Sequence, residues 1–496
     1  PVASEFDVII IGAGINGAGI ARDAAMRGLK VLLIDKGDIG SGTSAASTRL
    51  IHGGLRYLEQ FEFGLVRESL TERETLLRIA PHLVRPLPIT IPIYKQARRG
   101  RTTIRAGLIA YDLLSWGKSL PRHRMQSARA TLKQLPGLEP EGLVGSAVYY
   151  DAQVEFAERL VLENVLAAAE AGATVRTYTR VTKLVTAEGR VTGVHVDTDQ
   201  TDEIKANFVI NAAGPWVDQL QDQRLIGGTK GSHIVVAPFP GAPERAVYLE
   251  AISDGRPFFV IPWNGNYLIG TTDVGYEDDP DRVCSEQWEV DYLLAETNRA
   301  FPDAGLAREQ VLYTYSGVRP LPFTTNEDAP DITRRHFLRQ HPRFKNLISV
   351  VGGKLTTYRS LAEECVDQIV GNSQSRTAKI PLPGAVDFIG VDPCDRLQRI
   401  YGSRANQVVE LAKMLGEPNT FSAEIVFAFE HEFAQILSDC FLRRTMIGLN
   451  ADRGLSEIQA AADVGKRFLG WTEERAVREV ECYRTEISRM VCNASH

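Results

Sequence analysis

Cysteine is scarce in this sequence. The six in 496 residues, Cys284, Cys365, Cys394, Cys440, Cys482 and Cys492, form no CxxC pair and no ligand-like cluster. Such scattered thiols exclude a disulfide framework and fit a reducing compartment. Long apolar runs are lacking as well. No uncharged apolar stretch reaches the roughly 18 to 20 residues needed to cross a bilayer. The chain opens directly on a folded pattern, without a charged-then-apolar leader. The expectation is a cytoplasmic protein, soluble or bound at a membrane surface. A basic surplus is missing too. The formal net charge of -6 argues against a nucleic-acid footprint over the whole molecule, while leaving room for a local basic patch. There is no internal repeat and no low-complexity tract. His431-Glu432-Phe433-Ala434-Gln435 contains half of a zinc-protease motif without the second histidine, so no metal is expected.

What is present is globular: 44% hydrophobic and 24% charged residues, in a chain long enough for two or three lobes. Residues 7–11 (D-V-I-I-I) read as a buried parallel strand, 16–28 as a helix and 31–34 as a second buried strand. Helical periodicity returns at 156–171, strand character at 174–185, and a short apolar strand at 207–211 ends at Ala212-Ala213-Gly214. Between about 230 and 320, short strands alternate with Gly and Pro turns, which suits an antiparallel sheet. From about 385 onward the pattern is mostly helical, after a linker at Pro381, Pro383 and Gly384.

Gly12-Ala13-Gly14-Ile15-Asn16-Gly17 is a G-x-G-x-x-G fingerprint lying between strand and helix. Its first glycine permits a tight turn, its second lets backbone approach a pyrophosphate at the helix N-terminus, and its third lets helix pack on strand. Asp35, followed by Lys36, ends the second strand where an acid is expected to take a ribose hydroxyl. The run 41–48 (S-G-T-S-A-A-S-T), with Thr43, Ser44 and Ser47, is small enough for backbone to pass close to a flat polar ring and a second phosphate.

Five longer motifs follow in order: Ser47-Thr48-Arg49-Leu50-Ile51-His52-Gly53-Gly54-Leu55-Arg56-Tyr57-Leu58-Glu59, Lys230-Gly231-Ser232-His233-Ile234-Val235-Val236, Gly270-Thr271-Thr272-Asp273, Tyr315-Ser316-Gly317-Val318-Arg319-Pro320-Leu321 and Gly352-Gly353-Lys354-Leu355-Thr356-Thr357-Tyr358-Arg359. Together they resemble the FAD-dependent glycerol-3-phosphate dehydrogenase family over residues 5–385, and more loosely to about 450. One departure is Asp35, where the family often has Glu. The resemblance implies an α/β fold: a glutathione-reductase/D-amino-acid-oxidase-like FAD-binding domain (1–75, 146–220 and 330–384), a β-sheet cap (76–145 and 221–329) and a C-terminal helical domain (385–496). It implies FAD as cofactor, with Val181 near the adenine, and Ala213, Gly214 and the loop Gly352, Gly353, Lys354, Leu355 and Thr356 near the ribityl chain and flavin ring. The implied reaction oxidises sn-glycerol 3-phosphate to dihydroxyacetone phosphate, with electrons passing to a quinone.

That chemistry requires a hydride acceptor, a base for the hydroxyl proton and a cationic pocket for phosphate. Arg319, in a motif read as a rigid turn, Arg56 and Tyr57, Arg334 (alternatively a surface partner of Asp331) and Lys354 are the candidates for the pocket, guanidinium forks suiting phosphate. Lys354 is alternatively a positive charge near the flavin ring. His233 and His52 compete as base, His233 being favoured, since a neutral imidazole accepts a proton near pH 7.

Residues 95–118 hold Arg98, Arg99, Arg101 and Arg105 beside Ile104, Leu108, Ile109, Leu113, Leu114 and Trp116, with Arg122, His123 and Arg124 following. Such a cluster suits peripheral docking on an anionic inner membrane, the alternative being a charged helix that packs its apolar face on the cap. Oxygen as acceptor, an amino-acid oxidase of the same fold, an NAD(P)-linked dehydrogenase and a flavin-bearing scaffold are the alternatives. The sequence leaves the oligomeric state open, a homodimer included.

Overall fold

The computed structural model describes residues 5–197, 203–324, 335–371, 373–390 and 395–491. The chain opens with the strand Phe6–Ile11 (β1), the helix Ile15–Met26 (α1) and the strand Val31–Ile34 (β2). Val8 and Ile10 of β1 pack under α1 and the helices Ala157–Glu170 and Tyr358–Val370. Ile9 and Ile11 pack instead under the antiparallel pair Arg180–Ala187 and Arg190–Asp197. A strand covered on both faces has no solvent side to alternate with, which is why V-I-I-I, residues 8–11, is apolar without a break.

β1 lies parallel between β2 and Glu203–Asn211, and the sheet continues parallel to Leu347–Val351 on one side and Thr174–Arg176 on the other. Phe337–Gln340 closes one edge antiparallel. Residues 174–185, read from the sequence as one strand, divide into Thr174–Arg176 and Arg180–Ala187. Tyr178 between them has φ 53°, a left-handed turn that carries the chain from the parallel sheet into the antiparallel layer.

The second sheet has ten strands, and among the described residues its pairings are antiparallel except Ala246–Glu250 against Val84–Tyr94. Leu143–Val154 belongs to this sheet over its whole length, so the expected boundary at 145/146 falls inside a strand. The short strand Leu50–Ile51 pairs with its end and brings the chain from the first lobe to the second. The helices Ala405–Leu415, Phe421–His431, Ile458–Phe468 and Glu473–Ser488 form the C-terminal lobe. Phe427, Phe441, Ile458 and Tyr483 share one core with Val235, Ile261, Trp263 and Tyr313 of the second sheet, so this lobe backs the cap. An α/β domain, a β-sheet cap and a C-terminal helical lobe are all present, as the sequence leads one to expect. No helix among the described residues is long and apolar enough to cross a membrane.

Candidate active site

A cavity of about 1090 Å³ runs from the turn between β1 and α1 to the strand Thr229–Val236 of the second sheet. Its walls include every described residue put forward from the sequence for cofactor or substrate, Gly17 excepted. Gly17 faces the other way, against the carbonyl of Gly12, where any Cβ would collide. Arg334 lies outside the described residues.

The dinucleotide end is built from backbone. Gly12 has φ +104°, and a Cβ there would sit 2.6 Å from the Ala212 carbonyl oxygen, so the turn admits only glycine. Gly14 caps α1 and leaves the helix N-terminus facing the cavity. The Asp35 carboxylate accepts hydrogen bonds from the Ala13 N–H (2.6 Å) and the Gly37 N–H (2.8 Å). Burial raises its pKa, and these two donors oppose that rise. Val181, Ala213 and Gly214 line the same end.

The loop 41–48 is tied at several points. Ser44 Oγ accepts from the Ile15 N–H at 3.0 Å, and Thr43 Oγ1 donates to the Val318 carbonyl at 2.7 Å. Beyond it the buried Arg49 guanidinium pairs with both oxygens of Glu158 at 2.7 Å. Across the cavity Gly352 and Gly353 take φ +79° and +97°, and a Cβ on Gly353 would meet Asn16 Nδ2 at 2.5 Å. Asn16 Nδ2 in turn donates to the Gly352 carbonyl at 3.2 Å. The backbone of both loops is thereby held close to the cavity.

The next segment carries His52, Arg56 and Tyr57. The His52 N–H donates to Thr356 Oγ1 at 3.1 Å, and the Gly53 N–H lies 3.1 Å from Asp151 Oδ1 and 3.0 Å from Tyr111 Oη. Asp151 is buried and also accepts from Arg73 and Tyr111, each at 2.6 Å. These three residues were not singled out from the sequence. An acid inside the apolar strand V-Y-Y-D-A, residues 148–152, was the available signal, because a buried carboxylate needs partners. Lys354 Nζ lies 4.0 Å from the Tyr57 ring centroid and is buried without a hydrogen-bond partner among the described residues.

His233 lies on Thr229–Val236, its Nε2 2.9 Å from Thr48 Oγ1 and its ring stacked on Tyr315 at 4.9 Å between centroids. Burial first, then the Arg319 and Arg49 guanidiniums, push its pKa well below 6.5, so the imidazole is neutral. Burial also lowers His52, to about 4, with Asp151 opposing and Lys354 adding to the drop. Arg319 departs from its expected setting. It ends the strand Val311–Arg319, whose ladder with Thr229–Val236 is continuous through Gly317 and Gly231, and the turn begins only at Pro320. Its Nη1 pairs with Asp273 at 2.7 Å and its Nη2 donates to Thr271 Oγ1 at 3.1 Å. Thr48 and Tyr315, which fix the histidine, stand inside motifs noticed in the sequence but were given no role there.

The walls fit a long dinucleotide carrying a planar ring: glycine-only turns, a helix N-terminus, a buried acid and two small-residue loops. A family model described as "FAD dependent oxidoreductase" matches residues 7–360, and one described as "C-terminal domain of alpha-glycerophosphate oxidase" matches residues 375–476. A glycerol-3-phosphate dehydrogenase of Synechocystis sp. is 46% identical, over 97% of this chain and 96% of its own. The solved glycerol-3-phosphate dehydrogenase of Bacillus halodurans, complexed with FAD, is 30% identical with a TM-score of 0.80, covering 99% of this chain and 97% of that one. Glycine oxidase of Geobacillus kaustophilus, at 23% identity and a TM-score of 0.58 over 73% of this chain and 94% of its own, shares the fold. FAD is thus the cofactor of this chain, and the chain belongs to the FAD-dependent glycerol-3-phosphate dehydrogenase and oxidase family.

Proposed function

We propose that this protein oxidises sn-glycerol 3-phosphate at C2 to dihydroxyacetone phosphate. The observation that carries the reading is a neutral, oriented imidazole in the same cavity as a buried ammonium without a hydrogen-bond partner among the described residues: His233 held by Thr48, and Lys354 over Tyr57. FAD, when bound, supplies the hydride acceptor. The neutral His233 imidazole takes the C2 hydroxyl proton. The Thr48 hydroxyl orients the ring, and Tyr315 stacked beneath keeps water from it. Lys354, Arg319 and Arg56 at the mouth hold the dianionic phosphate, which distinguishes this pocket from one built for a carboxylate and an amine. His52, turned into the cavity and neutral, is the alternative base. His233→Ala should slow flavin reduction by about 100-fold or more while FAD stays bound, and reduction at the wild-type rate would remove His233 as base.

For the acceptor we favour a quinone reached from a membrane surface. The helix Arg101–Leu114 and the turn after it expose Ile109, Leu113 and Trp116, the last two at 62% and 70%, beside the exposed Arg98, Arg101 and Arg105. Arg122 stacks on Trp116 at 4.9 Å. Phe61 and Phe63, also exposed, precede and begin the helix Phe63–Ile79. Large apolar side chains ringed by arginine suit an anionic lipid surface. Arg99 does not serve this role, being paired with Glu59 and Glu250. Sedimentation with phosphatidylglycerol vesicles, weakened by Leu113→Ser with Trp116→Ser, tests the docking. Turnover with a soluble quinone against oxygen tests the acceptor.

A further inference from the structure

The C-terminal lobe contributes Leu442 and Arg443 to the cavity wall. The π-turn Cys440–Arg444 directs two successive guanidiniums into the first lobe, and π-turns of this kind recur at functional sites. Arg443 Nε lies 2.5 Å from Asp38 Oδ2, and Arg444 grips Asp38 through Nη1 (2.8 Å) and Nη2 (2.7 Å). Burial alone would raise the Asp38 carboxyl, but the Arg444 and Arg443 charges overcome it and hold it below the usual carboxylate range. Arg443 itself lines the cavity.

Two further contacts come from the segment just before that turn. Tyr178 Oη donates to Asp439 Oδ1 at 2.5 Å, and Gln435 Nε2 donates to Thr177 Oγ1 at 2.7 Å. Tyr178 N–H and Thr179 N–H bond the carbonyls of Gly37 (3.1 Å) and Asp35 (2.8 Å). Asp38 continues directly into the loop 41–48, its carbonyl accepting from both the N–H and the hydroxyl of Ser41. The segment 35–38 is therefore clasped from both sides by residues that the lobe 435–444 fixes.

We propose that Arg443 and Arg444 are positioning residues for FAD: they hold Asp38, and through it the Asp35 carboxylate and the loop 41–48, in the binding geometry. The C-terminal lobe would then act on cofactor retention as well as backing the cap. The proposal rests on the placement of the adenosine ribose at Asp35.

The test is FAD titration of deflavinated full-length protein, read by quenching of flavin fluorescence, together with the thermal midpoint with and without FAD. Arg443→Met leaves the bidentate Arg444–Asp38 pair in place. It should raise the FAD dissociation constant about ten-fold or more and shrink the upward shift of the midpoint that FAD produces. Arg443→Lys should restore part of both. An FAD dissociation constant within about two-fold of wild type, with apo and holo midpoints lowered equally, would make the contact merely structural and overturn the proposal. If Arg443→Met does not fold, Tyr178→Phe carries the same comparison, with about a three-fold weakening expected and none contradicting it. Asp35→Asn separates the placement from the clamp. Weakening by Arg443→Met but not by Asp35→Asn would refute the ribose at Asp35, and with it the part of the proposal routed through that carboxylate, leaving only the hold on the loop 41–48.

Discussion

His233 is neutral because its ring is buried beside two guanidiniums, and as the proposed base it would set the pH behaviour of the chemistry. A base whose pKa lies well below 6.5 is already deprotonated across the neutral range. Flavin reduction in single turnover should therefore be flat from about pH 6 to 8, and a limb centred near the unperturbed histidine value would contradict the assignment. His52 has a consequence for stability. Its pKa is 6.5 unfolded and about 4 folded, so the unfolded chain binds the extra proton between those values. Stability is full above pH 6.5 and falls as pH drops toward 4, by about 3 kcal/mol in all. His52→Asn should flatten that part of the thermal-midpoint profile, and an unchanged slope would place the lost protons elsewhere. Arg319→Ala should raise KM for the phosphate ester about ten-fold or more, if the contact is worth about 1.4 kcal/mol. The placement of Arg56, Arg319 and Lys354 on the cavity was legible at this scale because Gly- and Pro-rich motifs are poor places for idle surface charge. Thr48 and Tyr315 were not, because a hydroxyl and a ring acquire those roles only through pairing between distant strands.

The turn between β1 and α1 and the loop 41–48 act at the scale of elements. The turn was readable because its glycines answer to steric demands local in the chain. Gly12→Ala should abolish FAD binding, since the new methyl would meet the Ala212 carbonyl at 2.6 Å and φ +104° suits glycine alone. Flavin content of the purified variant checks this. The loop's geometry was not readable, because its anchors are distant: Val318, Ile15 and the Arg49–Glu158 pair. Glu158→Gln leaves a buried guanidinium half-compensated and should cost about 3 to 5 kcal/mol. Denaturant unfolding measures that cost, and a loss under about 1 kcal/mol would show the pair to be dispensable. The division at Tyr178 was hidden for the same reason, since both halves have strand composition and the break is made by the layer each one joins.

At the scale of the molecule, three lobes meet around one cavity, and each supplies a different part of its wall. The parallel sheet provides backbone for the dinucleotide, the cap provides the histidine and Arg319, and the C-terminal lobe presses two arginines on the turn after β2. The order of lobes was legible from the change of texture near residue 230 and again near 385. The use of the last lobe was not, because nothing in a helical pattern says which distant turn its arginines meet. The central claim is that the three lobes together form a pocket for a phosphorylated secondary alcohol. Its most direct test is anaerobic loss of the flavin's visible absorbance on adding sn-glycerol 3-phosphate, with glycerol and D-amino acids as controls. Rapid bleaching by the phosphate ester alone is the predicted result. A fully loaded flavin that glycerol 3-phosphate leaves oxidised, or that an amino acid bleaches instead, would contradict it.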